Sequence, residues 1–195
     1  MKNKVLDSIL NFLKKQSDYS ESDLMKIRYG LEGIYLTITK LLVIFIVALL
    51  LGIFKEVIIC LLLFNLIRYF SFGFHAEKSY ECLILSLLNF IAIPYLFLNF
   101  NRELVLDIII GFVCLFILLI YAPADTVKRP LRDIKKRIFR KFSTLLIGII
   151  YFVLLIMFNN NYLSDLLLSV LVVDAIIVNP ITYLIFRQPY NNYKN

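Results

Sequence analysis

Long apolar stretches with the charge confined between them leave this chain few ways to fold. Residues 33–54 are interrupted only by Lys40, residues 104–121 carry a single charge, Asp107, near one end, and residues 142–158 carry none. Residues 83–100 hold Asn89 and Pro94, and residues 162–186 hold Asp174 and an Asn179-Pro180 step. A shorter run, 57–67, crosses a bilayer only if the aromatic stretch 68–74 continues it or dips into the interface. A membrane helix needs about 20 apolar residues to cross a hydrocarbon core of about 30 Å. Backbone polar groups in lipid must be paired within the segment, and a helix does this. Hydrophobic residues make up 61% of the chain. Soluble domains hold roughly 45–50%, so lipid must solvate part of the surface. The predicted fold is an all-α integral membrane protein of six transmembrane helices. The links Lys55-Glu56, Asn101-Arg102-Glu103 and 159–162 are tight, which predicts antiparallel neighbours.

Before the first run lies a mixed segment, 1–31. Val5, Ile9 and Leu13, with Leu6, Leu10 and Phe12 beside them, recur near helical spacing, and Lys2, Lys4, Lys14 and Lys15 surround them. This predicts an amphipathic helix in the headgroup layer, or equally one packed on protein. Ser20 and Asp23 are spaced as a capping box. The opening residues are polar and charged, so no cleavable signal peptide is expected. The chain reads as one membrane domain, 1–195. It divides into an interfacial region at 1–31, a six-span bundle at 32–187 with loops at 68–82 and 123–141, and a tail at 188–195.

The net charge is +7, and 14 of the 21 basic residues lie in segments 1–31 and 123–141. Six spans put both segments and the C-terminus on one side, which the positive-inside rule makes cytoplasmic. Because these residues flank apolar runs, topology and anionic lipid explain them better than nucleic acid does. Three cysteines, Cys60, Cys82 and Cys114, do not read as a disulfide framework. No metal or other cofactor is expected. Lys40 and Asp174, costly inside lipid, are expected to pair or to line a polar cavity. Asn65, Asn89 and Asn179 are expected to hydrogen-bond between helices.

His75 is the only histidine, and Cys82 follows seven residues later, where a polar loop enters an apolar run. A thiol reacts as thiolate, and an imidazole beside it can take the proton. On one continuous helix, positions seven apart are separated by about 10.5 Å of rise, too far for a hydrogen bond of roughly 3 Å. A working pair therefore needs His75 on a loop that folds back, with a helix starting before Cys82. Gly73 supplies backbone freedom there, and Ser79 is a candidate N-cap that puts Cys82 in the first turn. Ser86, one turn deeper, either bonds the site or satisfies a backbone carbonyl. The bland readings stand beside these: a structural His and Cys, Arg68 and Lys78 as lipid anchors, Glu77 and Glu81 as a solvated face or an orienting group for His75.

Two motifs, Arg68…Gly73-x-His75-Ala76…Cys82…Ser86 and Tyr121-Ala-Pro-Ala-Asp125-Thr-Val-Lys-Arg-Pro130, resemble those of the accessory gene regulator B (AgrB) family. Length, span count and the charged N-terminal helix match too. Many members carry a second glycine where this chain has Phe72. The resemblance implies a membrane-embedded cysteine endopeptidase of quorum sensing, and family precedent suggests a homodimer. Such proteins act on a short precursor with an amphipathic N-terminal helix, an internal Cys or Ser and an acidic C-terminal tail. The tail is removed, and the product becomes a cyclic thiolactone or lactone. Carried onto this chain, Cys82 is the nucleophile and His75 the base, with Arg68, Gly73 and Ser86 in support. The basic loop, with Lys128, Arg129, Arg132, Lys135 and Lys136, would steer the acidic tail, or merely fix orientation and bind anionic lipid. Two competing functions remain. One is a peptide exporter built on Lys40, Asp174 and the Asn179-Pro180 break, against which there is no ATP-binding motif or visible inverted repeat. The other is a scaffold recruiting an acidic partner.

Overall fold

The structure is a computed structural model that describes residues 2–16, 20–76, 78–127, 130–159 and 161–194. Lys128, Arg129 and Glu77 therefore lie outside the described residues. The described chain is helical: α1 (Lys2–Gln16), α2 (Glu21–Leu50), α3 (Phe54–Ser71), α4 (Ser79–Leu87), α5 (Ile93–Asn99), α6 (Leu104–Tyr121), α7 (Ile134–Met157), α8 (Tyr162–Val178) and α9 (Pro180–Ile185). A π-helical stretch, Leu88–Ala92, joins α4 to α5, and a 3-10 turn, Asn192–Lys194, follows the last helix. The chain forms two compact units, 1–46 and 47–195.

In the first unit, Leu6 and Leu10 are buried while Val5, Ile9 and Phe12 are exposed. Arg28 of α2 pairs with Asp7 of α1 at 3.3 Å. One half of the expected capping box forms, the Asp23 backbone N–H donating to Ser20 Oγ at 3.2 Å; the Asp23 carboxylate accepts from Ser20 Oγ at 2.6 Å. This cap starts α2 at Glu21, so the helix begins well before the apolar run and carries residues 21–31 into it without a break.

Among the described residues, four helical segments are long and apolar enough to cross a membrane: α2, the joined Ser79–Asn99 segment, α6 and α7. The other two predicted runs form α3 and α8. At 1.5 Å per residue they are about 27 and 26 Å long, and α3 carries Lys55, Glu56 and Arg68. Helix α8 is buried along nearly its whole length and packs against α3, α5, α6 and α7. Its apolar residues face neighbouring helices on all sides, as expected of a helix hydrophobic all round.

Two proline effects shape these helices. Pro94 has no N–H and its ring crowds the carbonyl four residues back; just before it the ladder widens, and the Ile93 N–H reaches the Leu88 carbonyl. The run 162–186, expected as one helix, is instead broken at Asn179. Pro180 starts a new helix, and the Asn179 side chain caps it by accepting from the Ile181 N–H at 2.9 Å. Asn179 thus serves its own chain, and Asn65 donates to Leu61 one turn back. Bonds between helices come from other groups: Tyr151 Oη donates to the Leu63 carbonyl at 2.8 Å, and Ser164 Oγ to the Leu155 carbonyl at 3.1 Å.

The helix ends of the second unit meet in two groups. At one end, Lys55 lies 5.2 Å from the Tyr162 ring. There Arg102, with a side chain only 6% exposed, pairs with Asp107 at 2.7 Å and with Asp165. At the other end, the segments after α3, α6 and α9 come together. Helices α3, α4–α5, α6, α7 and α8 run between these ends in alternating directions.

Candidate active site

Helix α3 stops after Ser71 because the next two residues turn left-handed, Phe72 at φ 55° and Gly73 at φ 99°. Residues 73–76 are not helical, Lys78 is the N-cap of α4, and Cys82 falls in the first turn of that helix. A helix starts between His75 and Cys82, as expected, but one residue early: Lys78, not Ser79, is the N-cap, and no side chain caps it.

His75 is exposed, and its Nδ1 lies 2.9 Å from the Ala76 carbonyl. A carbonyl only accepts, so Nδ1 carries the proton and Nε2 of the neutral ring keeps its lone pair. Cys82 is half-buried and in no disulfide. Ser86 Oγ donates to the Cys82 carbonyl at 2.7 Å; of its two expected roles, it fills the backbone one. Glu81 pairs with Lys78 at 3.3 Å. Hydrogen bonding to Tyr80 and then to Glu81 raises the Lys78 ammonium above the usual lysine range, so it stays charged beside this turn.

Arg68 and Gly73 interlock beneath the loop. Arg68 Nη2 donates to the Gly73 carbonyl at 3.0 Å and to the Phe74 carbonyl. A Cβ on Gly73 would collide with this guanidinium and stand 2.9 Å from Ile177 Cγ2 and 3.0 Å from the Ile177 carbonyl. With φ at 99°, only glycine fits without strain.

The second sequence motif docks on the first. Phe72 and Ala124 form an isolated parallel bridge. The Gly73 N–H donates to the Ala124 carbonyl at 2.6 Å, and the Ala124 N–H to the Ser71 carbonyl at 3.0 Å. Asp125, only 2% exposed, accepts from the Leu131 N–H at 3.2 Å and the Asn192 N–H at 2.9 Å. Tyr183 Oη donates to the Asp125 carbonyl at 3.0 Å. The tail reaches the histidine itself, as Gln188 Nε2 donates to the His75 carbonyl at 3.3 Å.

A family model described as Accessory gene regulator B matches residues 6–182. The chain belongs to the accessory gene regulator B family. It is 33% identical to an AgrB-like protein of Clostridium acetobutylicum, over 93% of this chain and 87% of that one. It is 28% identical to accessory gene regulator protein B of Staphylococcus aureus strain Newman, over 92% and 94% of the two chains. An AgrB-like protein of Listeria monocytogenes is 33% identical over 89% and 85%. No solved structure matches.

For this AgrB-family chain, the basic residues expected to bind a substrate tail part company. Arg132, Lys135 and Lys136 are exposed, and Asp133 caps α7 by accepting from the Lys135 N–H at 2.9 Å. Arg140 is taken up by the fold, donating to the Tyr69 carbonyl and lying 4.2 Å from the Phe72 ring. Two others, Arg137 and Lys141, line a groove of about 400 Å³ with Tyr121, Ile134, Tyr190 and Tyr193. Burial pushes the Tyr190 phenol up to about 12, so it remains neutral. Sequence reasoning missed this groove because Tyr190 and Tyr193 come to it from the far end of the chain. No local spacing signals such a contact.

Proposed function

We propose that this protein is a membrane cysteine endopeptidase of quorum sensing, cutting the acidic tail from a precursor peptide and promoting cyclisation of the remainder. The observation that carries this reading is the helix start that falls between His75 and Cys82, so that no continuous helix holds them apart. It leaves an imidazole whose Nδ1 is engaged by the Ala76 carbonyl on a segment held by Arg68, just before the helix whose first turn bears the thiol. Membership of the AgrB family supports it.

The chemistry runs in two transfers. Cys82 Sγ attacks the scissile carbonyl as His75 Nε2 takes the thiol proton. His75 then gives that proton to the leaving amine, the C–N bond breaks, and the tail departs from a thioester on Cys82. The peptide's own thiol or hydroxyl attacks this thioester, closing the ring and returning a thiol to Cys82. A well-held internal nucleophile can reach effective molarities on the order of 10⁵ M, so cyclisation outruns attack by water.

The protein is an all-α bundle of the bacterial cell membrane with six spans, both termini in the cytoplasm and α1 in the headgroup layer. Support comes from the alternating helices of the second unit and the basic residues gathered at one of its ends. The acidic tail of the precursor is steered by the loop bearing Lys128, Arg129, Arg132, Lys135 and Lys136, and it seats against Arg137 and Lys141.

Co-expression with the precursor tests the reading. Cys82→Ala and His75→Ala should each stop tail release while the protein accumulates normally. Undiminished cleavage in both variants would discard it.

A further inference from the structure

The most deeply buried carboxylate of the second unit is one the chemistry above does not use. Asp174, in α8, has no exposed surface. A lone carboxylate inside an apolar bundle is costly and demands partners. One oxygen accepts a hydrogen bond from Ser71 Oγ at 2.8 Å, and Ser71, the last residue of α3, is equally buried. The other oxygen has no hydrogen-bond partner.

Arg68 lies three residues before Ser71 and so on the same face of α3. Arg68 in turn has one committed amino group and one orphan. Nη2 holds the carbonyls of Gly73 and Phe74, and Nη1 is buried without a partner. Two buried orphans of opposite charge, one on Asp174 and one a turn of α3 back from the serine that Asp174 bonds, thus lie by the loop that leads to His75. Helix α8 grips that loop a second way, three residues after Asp174: the Ile177 carbonyl accepts from the Phe74 N–H at 3.0 Å.

We propose that Asp174 is a positioning residue for the reaction of His75 and Cys82. Its carboxylate holds Arg68 under the loop by charge and Ser71 by hydrogen bond. Arg68 then fixes the two carbonyls that precede His75. Without the negative charge, nothing compensates the buried guanidinium, which turns away and frees Gly73 and Phe74. The inference rests on the protease reading for its consequence in rate, and on the geometry alone for its consequence in loop order.

The experiment uses the full chain in lipid nanodiscs, with two readouts. The first is amide hydrogen exchange. In Asp174→Asn the amides of Gly73 and Phe74 should exchange about tenfold faster or more, while those of α6 and α7 stay protected. The second is tail release, where kcat should fall about tenfold to a hundredfold with KM within about twofold. Arg68→Gln should reproduce both effects, and the double variant should add little to either single change. Asp174→Glu, which keeps the charge, should recover part of the rate. Should Asp174→Asn not accumulate, Asp174→Glu and Ser71→Ala carry the same two readouts. Loop amides unchanged in these variants would overturn the inference, as would exchange rising equally across α6 and α7, or an unchanged kcat. His75→Ala and Cys82→Ala run alongside. If they cleave normally the protease reading falls, while the exchange data still judge the link between Asp174 and the loop.

Discussion

At Gly73 and Phe72 the backbone makes opposite demands on neighbouring residues. Gly73→Ala meets two obstacles at once, a left-handed φ and a Cβ driven against Arg68 and the Ile177 carbonyl. The strain alone costs about 1–3 kcal/mol, and the collision dislodges the group that holds the loop. Tail release is expected to fall at least about tenfold, read as the ratio of cut to uncut precursor at matched protein levels. Phe72 also sits at positive φ, but there the side chain already fits. Phe72→Gly relieves about 1–3 kcal/mol of strain. It loses a ring contact with Arg140 worth about 0.5–1 kcal/mol, and a further 0.5–1 kcal/mol, roughly, to the freer unfolded chain. The two sides nearly cancel, so the thermal midpoint in detergent should barely move. A large drop would mean that the Phe72–Arg140 contact, not the backbone, sets the bend. Much of this was readable beforehand. A glycine two residues before the only histidine, at the end of an apolar run, announced a turn. The left-handed Phe72 was not readable, because its conformation is imposed by the Ala124 bridge from a segment far along the chain.

Among the elements, the apolar runs gave away where helices form but not which one lies at the centre. Helices α6 and α8 are both strongly apolar, yet α6 exposes Val105, Ile109, Phe112 and Phe116 while α8 is nearly all buried. Only the packing of α3, α5, α6 and α7 around α8 settles that. The polar clasp between α5, α6 and α8 was equally hidden. Arg102, read from sequence as part of a tight link, is folded inward between Asp107 and Asp165, with Nη1 on the Phe97 and Phe100 carbonyls. Its acidic partners lie 5 and 63 residues away, and the second distance has no local signature. Arg102→Ala leaves two carboxylates without their cation in a low-dielectric setting. Removing one partner of a buried pair costs about 3–5 kcal/mol, so the variant should accumulate poorly and melt far lower in detergent. An Arg102→Ala protein as stable as the parent would show that water reaches these acids freely. Because this clasp lies at the end opposite His75, any Arg102→Ala protein that does fold should retain its cleavage rate per molecule.

Across the second unit, the two groups of helix ends make a topological claim that hydropathy alone leaves open. Four segments are long and apolar enough to cross by themselves, and α3 and α8, at about 27 and 26 Å, fall a little short of a hydrocarbon core of about 30 Å. Yet α8 starts beside Arg102 and leads through α9 to Tyr183, which bonds the Asp125 carbonyl. It therefore joins the same two ends as α6. Helix α3 does likewise, from Lys55 beside Tyr162 to Phe72 beside Ala124. A short buried helix can make the crossing because its neighbours, not lipid, surround its ends. The basic residues then choose the side. Arg137, Arg140 and Lys141 gather near the Ala124 end, while Lys55 and Arg102 lie at the other, and the proposed topology puts the richer end in the cytoplasm. Single cysteines placed in a chain with Cys60, Cys82 and Cys114 replaced by Ala give the measurement. Gly52→Cys, Asn101→Cys and Asn159→Cys should react with a membrane-impermeant thiol reagent in intact cells, and Val127→Cys and Gln188→Cys only after permeabilisation. Labelling of Val127→Cys from outside would invert the molecule and put the His75 loop on the wrong face for a cytoplasmic precursor. Protection of Gly52→Cys or Asn159→Cys in intact cells would mean that α3 or α8 does not cross, and six spans would have to give way to four.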